Sequence, residues 1–279
     1  MNLEVDRLQA LTLQCRKEIL KMALKAGGAH IAPAFSIVEI LVVLYSGNVL
    51  KYNPNEPKWI ERDRLILSKG HGCAALYTIL AGTGFFDKTL LATFCQQGSI
   101  LGGHPNMLHI PGVESSTGSL GHGLAYGIGQ AMAAKMDNLN YNIFVIMGDG
   151  ECQEGSIWEA ALVASQQKLG RLIGIIDYNK LQGMDFLDNI TSMEPFFDKW
   201  KSFGWDVCEV DGHCISSLYD ILSQSREGEE QPLLVIAHTI KGKGISFMEN
   251  EAIWHYRLPN KEEMEVACKQ LGMSHQELE

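Results

Sequence analysis

The 279-residue chain has no basic run, no disulfide pattern, no long apolar stretch and no repeat, and each absence narrows what it can be. Without a Lys/Arg stripe, and with 23 Lys+Arg against 33 Asp+Glu for a net charge of −10, nucleic acid is not an expected partner. Seven cysteines, at 15, 73, 95, 152, 208, 214 and 268, are odd in number and match neither a disulfide framework nor a Cys-x-x-Cys zinc site. A reducing cytoplasm is therefore the expected compartment. The longest apolar stretch, 37–45, is too short to span a bilayer and contains Glu39, so no membrane partner is expected. The N-terminus does not read as a signal peptide: Leu8, Leu11, Cys15, Ile19 and Met22 follow helical spacing among charges. No low-complexity tract or Pro/Ser-rich linker divides the chain, which predicts one domain over 1–279.

What is present is an alternation of apolar runs and helical patterns. A helix over 4–26 ends at a Gly-Gly stop, 27–28, followed by a loop at 29–35 and a buried helix near 36–47. A strand over 64–68 leads through Lys69-Gly70-His71-Gly72 into a helix over 73–81. Residues 96–120 are glycine-rich and irregular, which inside a compact domain points to a functional loop. Helix 122–136, an apolar run ending near 148, helix 154–168 and the run 172–178 come next. An irregular stretch over 180–193 precedes helix 194–203, strand 206–210, helix 215–226 and strand 233–238. This order predicts an α/β fold, a parallel sheet with helices on both faces.

The strongest local signal is Gly148-Asp149-Gly150 at the end of one apolar run and Asp177-Tyr178-Asn179 at the end of the next. A helical crossover between them makes the two strands parallel and brings Asp149 and Asn179 to the carboxyl edge of the sheet. A carboxylate and an amide oxygen, with glycines allowing close backbone approach, suit Mg²⁺ shared with a diphosphate. A tight turn and a capping Asn explain the same residues locally; the crossover favours the metal reading. An acidic chain binding a phosphorylated ligand needs such local compensation.

His30, His71, His104 and His255 lie in glycine-rich or loop contexts. None is paired at zinc-helix spacing, so imidazoles donating to phosphate or sugar oxygens fit better than a histidine-based metal site. Gly118-Ser119-Leu120-Gly121-His122-Gly123 opens a helix where backbone N–H groups can approach an anion. Gly121, Gly123 and Gly127 mimic a dinucleotide pattern, but no strand precedes them, which argues against NAD(P). Glu154 and Glu159 stand at the start of helix 154–168, where favourable helix-end charge explains Glu154 better than Glu159. Lys241-Gly242-Lys243-Gly244 is either a solvated turn or a phosphate gate. Cys152, beside the Gly-Asp-Gly turn, reads as a packing residue.

Together these segments resemble the N-terminal half of transketolase, a thiamine-diphosphate enzyme. The resemblance runs through Ala29-His30-Ile31, Leu67-Ser68-Lys69-Gly70-His71, Gly103-His104-Pro105, Thr117-Gly118-Ser119-Leu120-Gly121, Gly148-Asp149-Gly150-Glu151, Asp177-Tyr178-Asn179-Lys180-Leu181, Asp211-Gly212-His213 and Trp254-His255. It implies a diphosphate-type thiamine-diphosphate-binding domain. Mg²⁺, with Ca²⁺ or Mn²⁺ as substitutes, would be held by Asp149, Asn179 and the carbonyl of Leu181. Gly118, Ser119, Leu120, Gly148, Gly150 and Glu151 would join His71 and His255 around the cofactor. His30, His71, His104 and His255 would move protons, and Glu154 and Glu159 would link paired active sites. The expected activity is transfer of a two-carbon ketol unit from a ketose to an aldose, usually phosphorylated.

Two departures accompany the resemblance. Ala32-Pro33-Ala34 stands where the family is glycine-rich. The family's pyrimidine-binding half has no counterpart in 1–279, so a complementary C-terminal subunit in a two-plus-two assembly is expected. The alternatives are the alpha subunit of a 2-oxo-acid dehydrogenase, which also carries a Gly-Asp-Gly crossover, and a non-catalytic cofactor-binding or regulatory subunit.

Overall fold

The structure is a computed structural model that describes residues 2–274 and 277. Five strands, β1 (Arg64–Leu67), β2 (Ile143–Gly148), β3 (Leu172–Tyr178), β4 (Asp206–Asp211) and β5 (Leu233–His238), form one parallel sheet in the order β1-β2-β3-β5-β4. The β2–β3 register pairs Gly148 with Asp177, so both strands end level at the same edge.

Strand residues alternate between two cores, because successive side chains on a strand face opposite ways. Phe144, Ile146, Ile173, Ile175, Leu233 and Val235 face one core. Ile143, Val145, Met147, Leu172, Ile176, Leu234 and Ile236 face the other. Burial on both faces explains why these strands read as continuous apolar runs.

The first core is covered by α1 (Asn2–Ala26), α2 (Ile31–Phe35), α3 (Val38–Ser46) and α4 (Cys73–Gly82). The second is covered by α5 (Gly123–Met136) and α6 (Gly155–Gln166). A one-turn helix, α7 (Leu187–Ile190), precedes α8 (Phe196–Ser202), which also packs on the second core. α9 (Ile215–Leu222) and α10 (Lys261–Leu271) return to the first. Chain direction accounts for this. The β2–α6–β3 and β3–α8–β4 crossovers run one way across the sheet, and β4–α9–β5 steps back. A right-handed connection that reverses direction must place its helix on the opposite face.

Four expectations shift. The loop expected at 29–35 contains α2, all of whose residues are buried. The stretch 180–193 contains α7, and Leu181 and Phe186 pair as a short bridge. α9 stops at Leu222 rather than 226, since the polar run Ser223-Gln224-Ser225 offers no further apolar positions. α10 has no counterpart among the expected helices, although Asn260 and Glu263 form a reciprocal capping box at its start.

α3 is buried along its length, yet it carries Glu39. Arg16 of α1 meets that carboxylate at 2.8 Å, and His213 Nδ1 meets it at 3.0 Å. Burial alone would raise the Glu39 pKa; the His213 hydrogen bond and the Arg16 charge outweigh it and bring it to about 2.

Candidate active site at the carboxyl edge of the sheet

Asp149 follows β2 directly and caps the 150–153 turn, its carboxylate accepting from Gly150 N at 2.7 Å. The same carboxylate accepts from Lys180 N at 2.5 Å, tying the β2 end to the β3 end. Lys180 has φ 62°, a left-handed conformation uncommon for a residue with a side chain. The turn it makes lets Leu181 N donate to Asn179 Oδ1 at 3.0 Å. Asn179 Nδ2 donates to Asp177 Oδ2 at 3.1 Å. Asp149, Asn179 and Leu181 thus converge on one cavity of about 180 Å³, with Lys69, His71, Leu120, Gly148, Gly150, Glu151, Lys241 and His255 also in its walls.

Charge in this cavity is unevenly compensated. Burial, then the neighbouring Asp177, pushes the Asp149 pKa up to about 7, against the hydrogen bonds from Lys180 and Gly150. Asp177 is buried too, but the Lys69 ammonium and hydrogen bonds from Lys69, Ser36 and Thr239 hold its carboxyl below the usual range. Lys241 is pulled down to about 8, by burial first and then by Lys69. A buried carboxylate that has backbone donors but is still driven toward its neutral form suits a cation. Among the described residues no group of three His, Cys, Asp or Glu side chains is placed to hold a metal. The donor set here is different: one carboxylate, one amide oxygen and one backbone carbonyl, which suits a hard cation whose remaining ligands come from phosphate and water.

The four expected histidines form one cluster. His30 lies at its centre, with ring centroids 5.5 Å from His71, 6.1 Å from His104 and 5.1 Å from His255. A second cavity of about 300 Å³ is lined by Gly28, His30, His71, Cys73, Cys95, His104 and Tyr256, and shares His71 with the first. Burial first, then neighbouring His104, Lys241 and Lys69, lowers the His30 pKa to about 4. Burial, then Lys241, His30 and Lys69, lowers His255 to about 3. Burial is also the leading cause that drives His71 well below its ordinary value. These imidazoles are neutral near pH 7. His255 Nδ1 is buried and has no hydrogen-bond partner among the described residues, which marks it for a ligand.

Other expected residues stand apart from this convergence. Gly118 and Ser119 are exposed and line an open groove with Thr117, His122 and Tyr126 rather than the first cavity. The N–H groups of Gly121 and Gly123 are already used, donating to Glu151 Oε1 at 2.9 Å and Ser68 Oγ at 3.1 Å. Glu151 also accepts from Gly148 N at 3.1 Å and from Ser68, so its carboxylate stitches the glycine turn to the end of β2. Glu154 and Glu159 are exposed and line neither cavity. Cys152 is fully buried and its thiol is pushed well above its ordinary value, chiefly by burial, as a packing residue requires.

Two cations stand out in this network: Lys69, which has no role assigned from the sequence, and Lys241, which has only the phosphate-gate reading. Lys69 is buried and reaches Asp177 and, at 3.2 Å, the Pro33 carbonyl. Lys241, half of an ambiguous turn, is buried and donates to the carbonyls of Leu181 at 3.2 Å and Gln182 at 2.7 Å. A larger cavity of about 430 Å³ lies at the opposite edge of the sheet. Its Lys135, Lys168, Arg171 and Arg226 already bond carbonyls or carboxylates, so it does not compete as the site.

Comparison with known proteins puts this parallel sheet, with its cavity at the carboxyl edge, in a thiamine-diphosphate-binding class. Residues 12–279 match the family model described as "Transketolase, thiamine diphosphate binding domain". The chain is 40% identical over 277 residues to an apulose-4-phosphate transketolase subunit of Phocaeicola vulgatus, covering 99% of this chain and 98% of that one. It is 41% identical over 256 residues to a 6-deoxy-6-sulfo-D-fructose transketolase subunit of a Clostridium species, covering 92% and 93%. It superposes on the crystal structure of Campylobacter jejuni transketolase with a TM-score of 0.88 at 30% identity, covering 96% of this chain but 43% of that one. The chain belongs to the transketolase family, and it spans less than half the length of that full-length transketolase while matching the two subunit relatives almost end to end.

Proposed function

We propose that this chain is a single diphosphate-binding domain that works as one subunit of a two-chain transketolase. The observation that carries the reading is the convergence of Asp149, Asn179 and the Leu181 carbonyl on one cavity beside neutral imidazoles. Asp149, Asn179 and Leu181 O would hold Mg²⁺, or Mn²⁺ or Ca²⁺ in its place, against a diphosphate. Lys69 and Lys241 would offset the remaining negative charge. Gly150 leaves the backbone open there; a Cβ at this position would lie 2.8 Å from Gln182 Cγ.

Bound thiamine diphosphate would supply the nucleophilic carbon and the electron sink for two-carbon transfer. The protein's part is orientation, proton handling and exclusion of water. His71 and His255, shared between cofactor and histidine cluster, would fix the diphosphate end through N–H donors. His30 and His104 would exchange protons with hydroxyl groups of a sugar in the second cavity. Being neutral, the buried imidazoles can each donate from one nitrogen and accept at the other.

The first cavity, about 180 Å³, is below the usual 300–1,000 Å³ of small-molecule sites, which supports a second chain completing it. Met184, Phe186, Ile253 and Tyr256 are exposed apolar side chains on the segments that carry Gly183 and His255. They form the surface on which a pyrimidine-binding subunit would sit, in a two-plus-two assembly whose paired sites would be linked by Glu154 and Glu159. The two subunit relatives are named for a sugar phosphate and a sugar sulfonate, which supports a ketose with an anionic end. Among the described residues no Lys or Arg lines the second cavity, so the partner would hold that anion. All seven cysteines are free, in keeping with a reducing cytoplasm.

The test is reconstitution. The chain alone should not turn over a ketose and aldose pair; with its partner, activity should appear and require both thiamine diphosphate and a divalent cation. Turnover by the chain alone, or by the complex after metal removal, would contradict the proposal.

A further inference from the structure

We propose that Asp177 is a positioning residue for the cation site: its carboxylate decides which end of the Asn179 side-chain amide faces the cation. The inference rests on the cation site described above. An asparagine amide has nearly the same shape at both ends, and only its hydrogen-bond partners distinguish the oxygen from the NH₂ group. A cation needs the oxygen. The NH₂ end facing it would replace a ligand with a repelling dipole.

Two contacts set the choice here. Nδ2 donates to Asp177 Oδ2 at 3.1 Å, and Oδ1 accepts from Leu181 N at 3.0 Å. A backbone N–H can approach only the oxygen, and a carboxylate oxygen can take only the NH₂ end. Oδ1 keeps a second acceptor direction open to the cavity. Asp177 is itself held rigidly. It is fully buried, and its Oδ2 also accepts from Ser36 Oγ at 2.6 Å and from Lys69, while Oδ1 accepts from Thr239. These donors come from the α2–α3 junction, the end of β1 and the end of β5, so the acceptor position is fixed by three separate parts of the fold. Its main-chain carbonyl accepts from Asp149 N at 3.4 Å, so the same residue touches the turn that presents the other side-chain ligand.

A purely structural alternative is that Asp177 only neutralises Lys69 in the core. The two roles separate by substitution. In Asp177→Asn, the amide oxygen can still accept from Asn179, Ser36 and Lys69 while its NH₂ turns to Thr239. In Asp177→Ala the acceptor is gone. In Asp177→Ala with Asn179→Asp, both ends of residue 179 are oxygens, and no orienting partner is needed.

The measurement is Mn²⁺ affinity of the chain assembled with its partner subunit, at saturating thiamine diphosphate, read from the electron paramagnetic resonance signal of free Mn²⁺. Asp177→Ala should weaken binding about 10- to 100-fold, the range for an outer partner of a metal ligand. Asp177→Asn should stay within about 3-fold of the wild type, and adding Asn179→Asp to Asp177→Ala should recover most of the loss. If Asp177→Ala does not fold, the comparison is repeated in a Lys69→Met background, which leaves no unpaired ammonium. Equal losses for the Asn and Ala variants with no recovery on Asn179→Asp, or no loss at all in Asp177→Ala, would overturn the inference. Failure of the wild type to bind Mn²⁺ would instead overturn the underlying cation site.

Discussion

Neutral imidazoles beside buried ammonium groups give the site a defined pH response. His30 and His255 have pKa values lowered to about 4 and about 3, by burial first and nearby cations second. Between those values and an unfolded value near 6.5, the unfolded chain binds protons that the folded chain does not. Stability therefore rises with pH through this window and falls as acid is added from about pH 6.5 toward 4. Melting temperatures measured across that range should drop, and the drop should be smaller in His30→Asn and His255→Asn. An unchanged slope in both variants would show that the cluster is not desolvated as described. At this scale the sequence exposed Asp149, Asn179 and the histidines, because glycine neighbours and strand ends marked them. It did not expose Asp177, Lys69 or Lys241 as one network. Their pairing is long-range, and each alone looks like an ordinary strand-end residue.

Elements with a clean apolar pattern were legible, and elements defined by their ends were less so. β2, β3 and β5 are apolar runs with a polar residue only near the carboxyl end of β3 (Asp177) and β5 (His238), and α1 shows Leu8, Cys15, Ile19 and Met22 on one buried face. α2 was hidden because Ala32-Pro33-Ala34 reads as a loop, while burial against the rest of the fold makes it helical. α10 has only a modest apolar face, so its cap is the informative feature. Asn260 accepts from Glu263 N at 2.9 Å, and Glu263 accepts from Asn260 N at 2.7 Å. Asn260→Ala should cost about 1 kcal/mol in urea unfolding. Hydrogen exchange should show fraying confined to 261–271, with the core strands unaffected. Protection of that helix equal to the wild type would mean that packing of Ala267, Cys268 and Leu271 alone holds it.

For the whole molecule, the parallel sheet carries its chemistry at one edge, and the apolar side chains around that edge remain exposed. Met184 is 86% and Ile253 63% exposed on segments that flank the cavity. Neither is needed for the fold's own core. Met184→Asp and Ile253→Asp should leave the melting temperature of the isolated chain within about 1 °C, since surface changes away from packed features have small effects. They should weaken assembly with the complementary subunit about 10-fold or more in sedimentation velocity. Unaltered assembly would move the partner's seat elsewhere. The fold class and the edge position of the candidate site were readable from strand–helix alternation; the proposed docking surface was not, because exposed apolar residues stand out only once the fold shows which ones lie together.

In the proposed site Asp149 and Asn179 clamp a divalent cation against a diphosphate, and calorimetric titration reads that clamp itself. Thiamine diphosphate is titrated into the assembled complex with and without Mg²⁺, for the wild type and for Asp149→Ala. Binding should depend on Mg²⁺ in the wild type and be lost, or weakened at least about 100-fold, in Asp149→Ala. Equal affinity in the two proteins, with Mg²⁺ present, would contradict it.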